Sequence, residues 1–444
     1  MNSNVRIQLS VMMFLQYFVW GAWYVTMGTY LLDQQHGLGY AMEQMGRAYN
    51  AAPLAAIISP FFVGMIADRF FATEKILAVL HLAGTVVMYY LSTLDSGTDF
   101  KMFYLVLMIY TLCYMPTLAL TNSISFHNMK NPELEFPGIR VLGTIGWIAS
   151  SALVGVIVTK ASGGFALDIS WIFGEVEGQN VQPTRWPMVI ASGSSLVLGL
   201  FCFFLPHTPP KAQGQKVTVK EVLGLEALSL MKKPSFAVFV IGSFLVCWPL
   251  QFYYAGANAF LNSLGGPGWE SVPIFENAAT KQSLGQVSEI VFMLLMPFFF
   301  RRLGVKMMLL VGMLAWTIRY FLFAYGDSSP SLVWMLYGGI LLHGICYDFF
   351  FVTGQIYVDK KAPRHIRASA QGFITLVTLG LGLFVGSEIF AWTGREVAEL
   401  PPAESWHAMW IRPAVFAGIV MVLFALVFKD DPEAELKPET EPAN

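Results

Sequence analysis

Two carboxylates in this chain stand in stretches where an unpaired charge is costly. Glu289 lies in GQVSEIVF, 285–292, three residues after Gln286 and so on the same face of a helix. Asp348 lies inside SLVWMLYGGILLHGICYDFFFVTGQIYVDK, 331–360, with Tyr347 beside it and His343 five residues earlier. Desolvation disfavours an ionised carboxylate and a neighbouring arginine favours it. A carboxyl group that moves between two such settings can load and release a proton, which makes Glu289 and Asp348 the candidate proton carriers. The competing reading is structural: Arg319, in AWTIRYFLFAYGD, 315–327, would hold either acid in an internal ion pair. A third role open to Asp348 is that of ligand to a substrate hydroxyl, and Tyr347 could offer the same cavity a ring or a hydroxyl.

Two other apolar runs carry polar groups at helical spacing. In FPGIRVLGTIGW, 136–147, Arg140, Thr144 and Trp147 fall on neighbouring faces of one helix and offer fixed donors, a hydroxyl and a stacking surface. The plainer reading of Arg140 is a side chain snorkelling to lipid phosphate. In WPLQFYYAGANAF, 248–260, Gln251, Tyr254 and Asn258 form one stripe. Amides read uncharged heterocycles or hydroxyls through paired donors and acceptors, but in helix bundles they also simply bond to neighbouring helices. Gln16, Trp20, Trp23, Tyr24, Tyr30 and Asn122 could complete a cavity wall, although a run such as YFVWGAWY, 17–24, equally suits packing or an interfacial belt. Glu388, in GSEIFAW, 386–392, reads as an interface anchor near the end of its span.

The elements that must position these groups are bilayer-spanning helices. The chain has 444 residues, of which 55% are hydrophobic and only 13% charged, against roughly 25% charge in soluble domains. That composition excludes an ordinary soluble enzyme, and a net charge of -2 gives no footprint for nucleic acid. The four cysteines, Cys113, Cys202, Cys247 and Cys346, lie in apolar segments without metal-ligand spacing or a disulfide framework. The first apolar run is longer than a signal-peptide core and reads as a retained span.

Hydropathy and turn residues predict an all-α integral membrane protein with twelve spans: 7–32, 42–67, 75–93, 101–124, 138–160, 188–206, 234–262, 282–300, 305–325, 331–358, 368–393 and 408–429. With the N-terminus cytoplasmic, the inside loops collect Lys75, Lys130, Lys211, Lys216, Lys232, Lys233, Arg301, Arg302, Lys306, Lys360 and Lys361. The outside margins hold mainly Lys101, Lys160, Arg185, Lys281, Arg395 and Arg412, so both termini are expected inside. The longest inside link, 207–233, separates an N-terminal six-helix bundle, 1–206, from a C-terminal one, 234–429, ahead of an acidic tail, 430–444, that reads as disordered. A 6+6 arrangement suits two pseudo-symmetric bundles rocking about a central site. The turn GMIADRFFATEK, 64–75, would place Asp68 and Arg69 as a charged latch at the cytoplasmic mouth.

The chain resembles the nucleoside:proton symporter family of the major facilitator superfamily, the group of bacterial nucleoside and xanthosine permeases. The blocks that carry the resemblance are LQYFVWGAWYVTMGTYL at 15–31, YMPTLALTNSISF at 114–126, FPGIRVLGTIGW, GQVSE, RYFLFAYGD, and YDFFFVTGQIYVDK through IRASAQG at 347–372. The resemblance implies nucleoside uptake with a proton by alternating access across a bacterial inner membrane. It assigns substrate contacts to Arg140, Thr144, Trp147, Gln251, Tyr254, Gln286, Glu289, His343, Tyr347 and Asp348. Three positions depart from the pattern that the resemblance implies: Tyr254 for asparagine, His343 for tyrosine and Trp147 for phenylalanine.

A proton-coupled nucleoside importer is therefore the leading expectation. The alternative is a proton-coupled or facilitative transporter of another polar solute, such as a sugar or a modified nucleoside. No nucleophile–base pair or metal cluster points to an enzyme, no cofactor beyond the coupling proton is expected, and a monomer in lipid suffices.

Overall fold

The computed structural model describes residues 2–62, 71–168, 178–209, 225–264, 278–363 and 366–429. Ten of its helices are long and apolar enough to cross a membrane. One of them, Ala278–Tyr325, is two helices joined at Gly304, whose φ of 67° interrupts the helix and which only glycine adopts easily. A further span begins as Met42–Tyr49 and Ala51–Phe62, broken at Asn50. The twelve are α1 (Ser3–Leu32), α2 (42–62), α3 (Thr73–Leu91), α4 (Phe100–His127), α5 (Pro132–Val156), α6 (Trp186–Phe204), α7 (Pro234–Ser263), α8 (278–303), α9 (305–325), α10 (Val333–Lys361), α11 (Ser369–Glu396) and α12 (Pro402–Val427). The outer surface is itself apolar, with Leu294, Leu426 and Val86 between 70% and 77% exposed. Such a surface is stable only where the surrounding solvent is lipid.

The helix boundaries differ from the hydropathy reading where proline starts a helix. α5 opens at Pro132 after Asn131 and α12 at Pro402, each about six residues earlier than the apolar run suggests, because proline's fixed φ and missing N–H suit the first turn. α5 also stops at Val156: Ile157, Val158 and Thr159 are β-branched and turn extended as β1 (Ile157–Thr159). β1 pairs antiparallel with β2 (Phe165–Leu167) on one side and β3 (Gln179–Asn180) on the other. This small sheet has no signature in a helical reading. The link piece LEALSLMK, 225–232, forms a short helix of 3-10 type.

Within each half, small residues let helices touch. Gly21 sits on Trp147 and Gly143 on Tyr17 where α1 crosses α5; Gly199 lies on Leu82 where α6 crosses α3. In the C-terminal half, Gly386 packs on Trp248 and Gln251, and Gly312 on Phe350. The ends carrying residues 8 and 428 belong to one side of the bundle: Gln8 bonds to Phe204 carbonyl, and Phe428 meets Tyr357. The other side is called the far end below. There the halves close on each other: Gly46 rests against Phe390 and Ala391, Gly394 against Met42, and a Cβ on Gly28 would stand 2.6 Å from the carbonyl oxygen of Ala255.

Candidate functional site

The interface between the halves encloses a cavity of about 30 Å³, room for a water or two. Its wall takes Tyr24 from α1, Trp147 and Ser151 from α5, Tyr253, Tyr254 and Asn258 from α7, and Gln282 and Gln286 from α8. The rings form a continuous surface across the two halves. Trp147 meets Trp20 edge-on at 5.4 Å, Tyr24 lies 6.4 Å from Trp147, and Tyr24 faces Tyr254 at 6.1 Å between centroids. Rings in T-shaped contact present both edges and faces, so the wall can stack a flat ligand with little rearrangement.

Charge enters from both sides. On α5, the Arg140 guanidinium lies 4.3 Å from the centroid of the Tyr17 ring, within electrostatic reach of Glu289 on α8. Glu289 is largely buried and 3.7 Å from Nε2 of His343 on α10. Tyr347 follows one turn after His343 on α10, its ring 6.0 Å from the imidazole. Close approach of α8 to α10 brings Glu289 and His343 together: Gly285 faces the His343 Cβ, and Gly344 faces the backbone of Ser288 and Glu289. Any larger residue at either position would push the helices apart.

The polar atoms in this region fall into two sets. Gln251 is fully buried at the α7–α11 contact, and neither its amide oxygen nor its nitrogen has a hydrogen-bond partner. Both carboxylate oxygens of Asp348 and two nitrogens of Arg319, Nε and Nη2, are buried and equally unpaired. Indole N–H groups such as those of Trp23 and Trp316 are also buried without a partner, but an uncompensated carboxylate or guanidinium is the costlier burial. Asn258 is the opposite. It accepts from the Thr29 hydroxyl at 2.6 Å and donates to Gln282 at 2.8 Å and Gln182 at 3.2 Å. Gln182 also accepts from Ala279 N–H at 3.0 Å, and Asn262 donates to Thr29 at 3.1 Å. This latch of amides and one hydroxyl ties α1 and the α5–α6 loop to α7 and α8 at the far end, with no formal charge.

Of the sequence-named site residues, Trp147, Tyr254, Asn258 and Gln286 line the cavity, Glu289 meets His343, and Arg140, Gln251, Tyr347 and Asp348 lie outside the cavity wall, with four further distinctions. Thr144 is half-buried on α5 and does not line the cavity. Asn258 lines it, but its side chain is committed to the latch. The expected ion pair of Arg319 with Asp348 or Glu289 is absent: Arg319 instead lies 3.4 Å over the Tyr253 ring, with Nη1 3.1 Å from His343 Nδ1. Its guanidinium meets α10 at the His343 turn, whereas Asp348 opens a π-type turn, Asp348–Val352, further along. Asp68 and Arg69 lie outside the described residues. Glu388 does bridge the halves, accepting from the Asn50 amide while Asn50 accepts from Tyr104 OH at 2.7 Å.

Sequence reasoning missed Tyr253, Gln282, Gln182 and Asn262. Gln282 was visible as the start of a 282–286–289 stripe on α8, but Gln182 lies in a loop where periodicity says nothing.

The sequence model for Nucleoside H+ symporter matches residues 3–433. The chain belongs to the nucleoside H+ symporter family. It is 42% identical over 429 residues to the Escherichia coli (strain K12) protein YegT, covering 95% of this chain and 93% of that one. It is 31% identical over 437 residues to the xanthosine permease of Escherichia coli (strain K12), covering 97% and 98%. The crystal structure of nucleoside transporter NupG superposes with a TM-score of 0.80 at 29% identity, over 96% of this chain and all of that one. The fold is thus that of the major facilitator superfamily, a membrane transporter of two pseudo-symmetric six-helix bundles, here with one small sheet between α5 and α6.

Proposed function

We propose that the protein imports nucleosides together with protons by alternating access, acting as a monomer in the bacterial inner membrane with both termini cytoplasmic. The observation that carries this reading is the convergence, at the interface of the halves, of a stacking wall, an unpaired amide and buried carboxylates. Trp147, Tyr24 and Tyr254 take the base between rings, as flat heterocycles require. Gln251 and Gln286 read its edge or the sugar hydroxyls; the Gln251 amide is already dehydrated, so a ligand that bonds to it relieves a standing penalty. Arg140 holds the substrate and Glu289 together across the α5–α8 seam, with Thr144 able to join as the halves rock. Glu289 carries the proton, and Asp348 is the second candidate carrier, its oxygens free of any hydrogen bond.

In this structure the far end is closed by the amide latch and the glycine contacts, and the cavity is too small for a nucleoside. With the termini cytoplasmic, the far end is the external face. Basic residues at the other end, including Arg301, Arg302 and Lys360, suit anionic lipid headgroups there.

The test is uptake of radiolabelled uridine and adenosine into proteoliposomes, with and without an imposed inward proton gradient. Accumulation that collapses with a protonophore is the expected result and also ranks the bases. Equilibration without accumulation would mean a facilitator, and absence of flux for both would mean another solute.

A further inference from the structure

The Arg319–His343–Glu289 arrangement has a chemical direction. An arginine cannot accept a hydrogen bond, so the 3.1 Å contact of its Nη1 with His343 Nδ1 makes that nitrogen the acceptor. The ring is then neutral and carries its proton on Nε2, the nitrogen that faces Glu289 Oε2 at 3.7 Å. A second proton on the ring would set Nδ1–H against an N–H of a permanent cation. That guanidinium is itself fixed, stacked 3.4 Å over Tyr253, whose ring also stacks on His343 at 5.4 Å. The groups around the imidazole are therefore Glu289 from α8, Arg319 from α9, Tyr253 from α7, and Cys346 and Tyr347 on its own helix, with Arg140 beyond Glu289.

At 3.7 Å the Nε2–H···O contact is too long for a hydrogen bond. It is a gap that an ionised carboxylate closes and a protonated one leaves open. We propose that His343 is a positioning residue, held as a neutral Nε2–H donor, that passes the charge state of Glu289 to Arg319 and does not itself carry the transported proton. This rests on the reading of Glu289 as proton carrier. Proton loading at Glu289 is thereby felt on α9, a helix that supplies none of the cavity wall.

The proposal separates two substitutions. In His343→Gln the side-chain amide supplies an acceptor toward Arg319 and a donor toward Glu289, as the neutral imidazole does, but cannot be protonated. In His343→Phe the ring stacking remains and both polar contacts go. Gradient-driven accumulation and substrate counterflow, which needs no net proton movement, are measured side by side for both variants and for Glu289→Gln. The expected result is that His343→Gln keeps the wild-type ratio of accumulation to counterflow, with the same pH profile, whatever its absolute rate. His343→Phe keeps counterflow while accumulation falls on the order of tenfold, the loss of one hydrogen bond to a charged group, and its pH profile shifts. Loss of accumulation in His343→Gln with counterflow intact would show that the imidazole carries the proton and would overturn the proposal. Wild-type accumulation in His343→Phe would overturn it too. If His343→Phe loses counterflow through misfolding, the His343→Gln result decides alone. Undiminished accumulation in Glu289→Gln would instead reject the underlying reading of Glu289.

Discussion

Each half of the molecule buries a histidine among helices, and the two are held in opposite ways. His81, in the N-terminal half, has both ring nitrogens engaged, Nδ1 with Ser195 Oγ at 3.0 Å and Nε2 with Gln16 Oε1 at 3.0 Å. The network continues neatly: Gln16 donates to Thr117 at 2.6 Å, and Tyr114 OH to the Gln16 carbonyl at 2.5 Å. His343, in the C-terminal half, stands between a cation and an acid, one contact closed and one open, on the same helix as Asp348, whose carboxylate oxygens are unpaired. A closed network of neutral groups fixes one packing of α1, α3, α4 and α6. An open one with charges can take more than one state. On the proposed function, the His81 network is then a fixed brace of the N-terminal half, and the His343 cluster a part of the C-terminal half that responds to the proton.

The largest effect expected from breaking this contrast is at the acid. Glu289→Gln should abolish gradient-driven accumulation at normal protein abundance, read as the ratio of internal to external nucleoside; a ratio equal to wild type would remove Glu289 from coupling. Next comes the comparison itself. His81→Leu strands the Gln16 oxygen in an apolar interior, while the Ser195 hydroxyl keeps its bond to the carbonyl of residue 81, and should lower stability by about 2 kcal/mol. Thermal unfolding in detergent should show the drop, while accumulation per folded molecule is unchanged. Coupling lost at His81 without loss of stability would erase the distinction between the halves.

The latch gives a smaller, conformational effect. Asn258→Ala removes four neutral side-chain bonds at the far end and should raise the labelling rate of a cysteine introduced at Val25, on the cavity wall and outside the latch, by roughly tenfold, through a shifted population. Glu388→Gln keeps an acceptor for Asn50 and should change transport least, within about twofold. A large loss there would add a third carboxylate to the coupling machinery.

Much of this was legible in the sequence. Twelve apolar runs, the distribution of Lys and Arg and the blocks around Arg140, Glu289 and Asp348 lead to the fold and the family without coordinates. The face of α8 that carries Gln286 and Glu289 follows from spacing alone, and so does the stripe from Gln251 to Asn258. Spacing does not say which of those polar groups are already satisfied. Gln251 and Asn258 look equivalent on one helix, yet one is unpaired and the other is the hub of a latch, because Thr29, Gln182 and Gln282 arrive from elements far apart in sequence. For the same reason Arg319 was matched to an acid, whereas the fold brings a histidine to it first. Helix starts at Pro132 and Pro402 were missed because hydropathy marks the apolar run and not the capped turn before it.

The most direct test of proton-coupled import is the proton itself. Lightly buffered proteoliposomes, clamped with potassium and valinomycin, are given nucleoside with no imposed pH gradient, and the external pH is followed. The expected result is an alkaline shift that saturates with nucleoside, is absent in Glu289→Gln and collapses with a protonophore. Nucleoside entering the vesicles with no pH change in the wild-type protein would contradict symport.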